Sequence, residues 1–274
     1  MALSRRPFYL DGSKGKLFCN LFEPAGDIES AVLVLSPFAE EMNKSRRMLS
    51  QQSSLLAQNG IATLLFDYYG TGDSEGDFSN ATWEVWENDT QAAFDWLLNT
   101  GYKTINLLAM RMGALLINPL VASSDENIGK IVFWQPLLNG ELLLNQFYRL
   151  KVASDLISSG SASSVVKNIK AELSSGHPVE IAGYTINPEL VTGLENAQLE
   201  PSNFQSHHDI VWCEIVASAD RQTPSVSRRN IEKLQKQGIN VQSHLITGPQ
   251  FWNTVELVDV PELHEKTLMA LTTS

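Results

Sequence analysis

Apolar residues in this chain follow two rhythms that take turns. Residues 240–246 are expected as the last strand, and mostly apolar runs occupy residues 31–36 (A-V-L-V-L-S), 61–66, 104–108, 130–134 and 210–216. Their β-branched and leucine-rich composition is that of strands covered on both faces. Between them, residues 45–59, 83–98, 112–121, 225–237 and 261–271 predict helices; the second is plainly amphipathic and Gly60 caps the first. The chain opens with a predicted hairpin, residues 8–10 and 17–22, turned at Asp11-Gly12. Strand–helix alternation of this kind predicts an α/β protein with a doubly wound, mostly parallel sheet and its sites at the carboxyl ends of the strands. The alternation breaks at residues 137–209, where a helix is predicted at 141–157, a nearly polar serine linker at 158–164 and a short apolar piece at 179–194. Residues 1–136 and 210–274 would then form the core, and 137–209 a lid over the site. No internal repeat is visible.

Composition narrows the partners. The 274 residues carry a formal net charge of −11, which argues against nucleic acid and anionic membrane surfaces. Two cysteines, Cys19 and Cys213, lie far apart and read as free buried thiols in a reducing compartment. Residues 1–6 lack the apolar core of a signal peptide, and no run approaches the roughly 18 apolar residues of a membrane span. The expectation is a soluble cytoplasmic protein. His207-His208-Asp209 is no metal site, because neighbours on a strand point to opposite faces and no second cluster completes a shell. No metal and no cofactor are expected.

The candidate chemistry gathers at Leu107-Leu108-Ala109-Met110-Arg111-Met112-Gly113-Ala114. A strand, a turn flanked by small residues and a helix are the parts of a nucleophile elbow, with Ala109 and Gly113 two places either side of the apex. The apex residue is Arg111, whose guanidinium is cationic at any working pH and cannot attack a carbonyl.

Order, loops and lid position together resemble the α/β-hydrolase fold over nearly the whole chain. More narrowly the sequence resembles the second type of exosortase A system-associated hydrolase, found with bacterial exopolysaccharide and protein-sorting loci. The resemblance is carried by Pro37-Phe38-Ala39-Glu40-Glu41-Met42-Asn43-Lys44-Ser45-Arg46-Arg47, Asp67-Tyr68-Tyr69-Gly70 with Gly72-Asp73-Ser74, Arg111-Met112-Gly113-Ala114, Ala182-Gly183-Tyr184 and Phe251-Trp252. It implies a hydrolase of the ester, thioester or amide class. In that fold the acid follows a late strand and the histidine follows the last one. Asp220 stands at the acid position, whereas the loop after residue 246 offers Phe251 and Trp252 and no imidazole. The triad is therefore degenerate, lacking nucleophile and base together.

Arg111, at the N-terminus of its predicted helix, needs an anion. That anion is either an internal carboxylate, from Glu40, Glu41 or Asp220, or the carboxylate or phosphate of a ligand. Phe38, Ala39, Asn43, Tyr68, Tyr69, Met112 and Trp252 would line the ligand site, with Trp252 suiting an apolar or sugar-like molecule. Lys44 and Arg46-Arg47 read as a solvated helix face. Three functions follow: a protein binding a small anionic, acyl or glycan ligand without Ser-His-Asp chemistry; a hydrolase using Glu40 or Glu41 as general base with Arg111 stabilising the oxyanion; or a non-catalytic scaffold. Oligomeric state is not encoded in any pattern here.

Overall fold

The computed structural model describes residues 4–26, 28–123, 126–159, 162–254 and 256–272, with side chains 154–159 excepted. The opening hairpin is β1 (Ser4–Asp11) and β2 (Lys16–Glu23), turned where the Gly12 amide donates to the Gly15 carbonyl at 2.9 Å. Then come β3 (Ser30–Leu35), α1 (Ala39–Gln58), β4 (Ala62–Phe66), α2 (Trp83–Thr100) and β5 (Thr104–Met110). A single 3-10 turn, Arg111–Ala114, and a short α3 (Asn118–Ala122) lead to β6 (Ile128–Trp134). The next segment holds α4 (Gly140–Ser159), α5 (Ala162–Ser174), a small hairpin of β7 (Val179–Ile181) and β8 (Tyr184–Ile186), and α6 (Pro188–Asn196). The chain ends with β9 (Asp209–Val216), α7 (Ser225–Lys236), β10 (Asn240–Thr247) and α8 (Pro261–Thr272).

Among the described residues eight strands form one sheet in the order β1-β2-β4-β3-β5-β6-β9-β10. From β4 onward all neighbours are parallel; the β1–β2 and β2–β4 pairs are antiparallel. Period-2 alternation divides each central strand between two cores. Ile105, Leu107 and Ala109 of β5 meet Trp86, Phe94 and Leu97 of α2 on one face. Leu108 and Met110 turn to the other, with Met48, Leu49 and Leu56 of α1 and Leu263 of α8. The inner parallel strands β3, β4, β5, β6 and β9 are therefore covered twice, which is why their sequences are largely apolar, whereas the edge strand β10 is half polar and largely exposed. Both cysteines are free and buried, and burial pushes each thiol up to about 12.

Three elements depart from the sequence-based expectation. The first helix begins at Ala39 rather than 45, so Glu40 and Glu41 occupy its first turn and not a loop. Its N-cap is Phe38, with no side-chain cap, so the usual Ser/Thr/Asp/Asn start signal is missing. The single helix expected over 112–121 is instead the 3-10 turn and the five-residue α3. Arg111 thus has no long helix dipole behind it, and only the first amides of one turn lie at its back. The serine stretch expected as a linker at 158–164 is mostly helical, α4 running to Ser159 and α5 starting at Ala162; residues 160–161 lie outside the described part.

The glycine-punctuated loop after β4 is a structural joint. Asp67 accepts from the Asp73 amide at 3.0 Å and pairs with Arg46 at 3.0 Å, while the Ser74 hydroxyl donates to the Asp67 carbonyl at 2.6 Å. Ser74 in turn accepts from the Phe18 amide of β2 at 2.8 Å, and buried Asp89 of α2 accepts from the Tyr69 amide at 2.8 Å. Burial pushes the Asp89 carboxyl up from 3.8 to about 6, against the downward pull of the Tyr69 amide.

Two outcomes follow. Gly113 packs so close to β3 that a Cβ there would lie 2.2 Å from the Leu35 carbonyl oxygen. Gly113→Ala is expected to cost roughly 3 kcal/mol in urea unfolding, whereas Gly60→Ala, at φ +87° with no neighbour within 4 Å, should cost about 1 kcal/mol. Because the folded-state pKa of Asp89 is raised, its stabilising contribution is complete below pH 3.8 and is lost as pH rises through 6. Measured by urea unfolding from pH 3.5 to 7, wild type should lose about 3 kcal/mol relative to Asp89→Asn over that window.

Candidate functional site

The parallel strands deliver their carboxyl ends to one edge, and a cavity of about 420 Å³ opens there. Phe38 comes from the end of β3, Arg111 from the end of β5, Gln135 from the end of β6 and Trp252 from the loop after β10. Helix α1 adds Glu40, Glu41 and Lys44; α4 adds Leu143, Gln146, Phe147, Arg149 and Leu150 across the top. Gln250 and Asn253 complete the lining, and among the residues that line it there is no serine, cysteine or histidine.

Backbone strain concentrates at this edge. Of the non-glycine residues described with positive φ, Ala39 (47°), Arg111 (53°) and Gln135 (46°) each stand just beyond a neighbouring strand end. Such conformations cost about 1–3 kcal/mol each and persist only where surrounding contacts hold them. Here the contacts are visible. The Arg111 carbonyl accepts from the Leu137 amide at 3.1 Å, and the Gln135 side chain accepts from the Ile215 amide at 2.6 Å. The tight bend at Arg111 is the elbow anticipated from the small residues around it.

Arg111 is 6% exposed and is held through its Nε and one terminal nitrogen. Its Nε donates to both carboxylate oxygens of Glu41 at 3.2 and 3.3 Å, and one terminal nitrogen donates to Glu41 Oε1 at 2.9 Å. The same nitrogen donates to Gln146 Oε1 on α4 at 2.6 Å. The guanidinium carbon lies 5.1 Å from the Trp252 ring centroid, within cation–π range. Of the three carboxylates offered by the sequence, Glu41 is the one that answers the charge. Glu40 faces the small hairpin instead: Tyr184 donates to it at 3.4 Å and Asn43 donates to Tyr184 at 2.7 Å and to Glu40 at 3.3 Å.

The remaining expected site residues are elsewhere. Asp220 is exposed on the loop after β9 and does not line the cavity. Tyr68 is buried behind Phe38, packed on Trp86 at 5.5 Å and donating to the Ser36 carbonyl at 3.3 Å. Tyr69 closes the glycine loop near Gly76, Asn43 holds Tyr184, Met112 is wholly buried in the core, and Ala39 contributes its bend rather than a lining side chain. None of the histidines reaches the cavity; His264, for example, bonds Gln52 at 2.7 Å beneath α8.

Some contributors were not anticipated. Gln135 and Gln146 are uncharged and carry no motif. Arg149 lies on a helix whose cavity face could be read only with the core in hand. Glu214, 3% exposed on β9, accepts from the Trp212 indole at 2.8 Å; burial lifts its carboxyl above the usual range, opposed by hydrogen bonds from Ser227 and Trp212 and by the charge of Arg111. Its position inside a continuous apolar strand was the signal that could have found it. Among the described residues no group of His, Cys, Asp and Glu is arranged to hold a metal ion, and no helix is long and apolar enough to cross a membrane.

No protein-family model matches the chain. A stretch of 121 residues is 28% identical to an uncharacterized protein of Rickettsia prowazekii, covering 43% of this chain and about half, 50%, of that protein's length. Solved structures align almost end to end. The α/β hydrolase GrgF of Penicillium sp. sh18 gives a TM-score of 0.66 at 16% identity over 98% of each chain. Est1E of Butyrivibrio proteoclasticus with ferulic acid bound gives 0.64 at 16%, over 97% of this chain and 100% of that one. An esterase of Pyrococcus furiosus gives 0.64 at 15%, over 98% and 90%. With its parallel strands in this order, the antiparallel hairpin at one edge and the elbow after β5, this chain has the α/β-hydrolase fold.

Proposed function

We propose that the cavity is a non-covalent ligand site, and that the protein does not work by Ser-His-Asp hydrolysis. The observation that carries this reading is the guanidinium of Arg111 at the apex of the elbow, matched to Glu41 by three hydrogen-bond contacts. A nucleophile there would need a lone pair and a base to take its proton. Arg111 offers neither, and the indole of Trp252 stands after β10, where the fold calls for the base. Glu41 is committed to Arg111, and Glu40 to Tyr184 and Asn43. Both carboxylates suggested as bases for an activated water are thus engaged with other partners, which favours binding over the non-classical hydrolysis reading.

The site has the size and mixture of a small-molecule pocket, about 420 Å³ with polar groups set among Phe38, Leu143, Phe147 and Trp252. An aromatic acid of the kind bound to Est1E is of a size to enter it. Residues 137–209 act in this reading as a lid, tied down through Gln146 to Arg111 and through Tyr184 to α1. The resemblance to exosortase A system-associated hydrolases supports a role beside bacterial exopolysaccharide or protein-sorting machinery, on the cytoplasmic side, with an anionic acyl or glycan molecule as ligand.

Incubation with an excess of a fluorophosphonate, followed by intact-mass spectrometry, should give no adduct; stoichiometric labelling would reject the reading. The pair itself should be worth keeping only as a pair. Arg111→Met strands the Glu41 carboxylate in a largely buried position and is expected to cost about 3–5 kcal/mol in urea unfolding. Arg111→Met combined with Glu41→Met should recover most of that loss, since the uncompensated charge is gone.

A further inference from the structure

We infer that the ligand is a small amphiphilic acid whose charged group is gripped by Lys44 and Arg149 at the cavity mouth, and not by Arg111. This rests on the reading of the cavity as a binding site and specifies what it recognises.

The charges lining the cavity are three cations, Arg111, Lys44 and Arg149, and two carboxylates, Glu40 and Glu41, an excess of one positive charge in a chain of net charge −11. Arg111 does not supply the excess, because Glu41 neutralises it at 2.9 Å. Neighbouring cations on α1 are also answered: Arg46 pairs with Asp67 at 3.0 Å and Arg47 with Asp259 at 2.9 Å. Lys44 and Arg149 make no ion pair among the described residues. Their placement is regular. Glu41 and Gln146 hold Arg111 from α1 and α4, and the residue three places on from each, one helical turn along the same face, is Lys44 and Arg149. The two cations therefore line the same cavity from two different helices, Lys44 half-buried on α1 and Arg149 exposed on α4.

Beside the polar groups the cavity also carries an apolar surface. Leu143, Phe147 and Leu150 share the face of α4 that carries Gln146, and Trp252 also lines the cavity. Leu150 remains 44% exposed at the mouth, an apolar side chain with no core to cover it. A molecule with one acidic group and an aliphatic or aromatic body satisfies both halves. Its anion would meet a lysine and an arginine on two different elements, so that binding also draws α4 toward α1.

Calorimetric titration of the full-length chain with octanoate and with octanamide, and with cinnamate and cinnamamide, separates charge from shape. Each acid is expected to bind about tenfold or more tighter than its amide, as for a charge-assisted contact. Lys44→Gln and Arg149→Gln should each weaken the acids several-fold and leave the amides unchanged, with melting temperatures close to wild type. If the amides bind as well as the acids, or both variants leave octanoate and cinnamate untouched, the assignment of Lys44 and Arg149 is overturned while the cavity remains a ligand site. If none of the four compounds binds at millimolar concentration, the binding reading and this inference fall together.

Discussion

A cation held at a strained bend is the constraint around which the site is built. Arg111 sits at φ 53°, in a conformation that non-glycine residues avoid, and is almost completely removed from water. A guanidinium in that setting is tolerable only if its donors are met and its charge is matched. Glu41, Gln146 and the Trp252 ring meet its charge, its Nε, one terminal nitrogen and its face from three different elements, α1, α4 and the loop after β10. The pair is consequently weak evidence of net stabilisation, yet it fixes where those three elements lie relative to the end of β5. In related folds the same bend aims a nucleophile; here it aims a crosslink.

That crosslink rests on a scaffold written plainly into the sequence. The apolar inner strands, their alternation with helices and the opening hairpin could all be read from patterning, because burial on two faces leaves few polar positions to confuse the signal. The elbow was equally legible, since close approach demands small residues and the spacing of Ala109 and Gly113 about Arg111 has few other uses. What patterning missed were boundaries where local rules are broken. α1 starts without a polar N-cap on a residue with positive φ. The apolar stretch after Arg111 satisfies a helix rule all round, yet Gly113 against Leu35 forces a tighter turn there.

The site divided along similar lines. The apex could be located because backbone geometry constrains it, whereas its counter-charge could not be chosen among three carboxylates. Glu41 is 70 residues away in sequence, and which of two consecutive glutamates turns inward depends on the phase of α1, itself set by the misplaced start. Asp220 matches the fold's acid position in sequence but is exposed and does not line the cavity. Residues on α4 were out of reach for a different reason. Nothing in Gln146 or Arg149 signals chemistry until the helix is laid across the mouth of the cavity.

The consequence for recognition is a separation of roles by depth. At the floor, Arg111 and Glu41 cancel each other in a place where water is scarce, and a ligand group inserted between them would have to replace several good contacts at once. Nearer solvent, Lys44 is half-buried and Arg149 exposed, and neither has a protein partner of opposite charge among the described residues. In the binding mode proposed, a ligand anion displaces only solvent there, and its apolar part rests against Leu143, Phe147 and Trp252. Charge reading is therefore favoured at the mouth and shape reading beneath it, the reverse of a hydrolase, whose decisive polar contacts are made at the elbow itself.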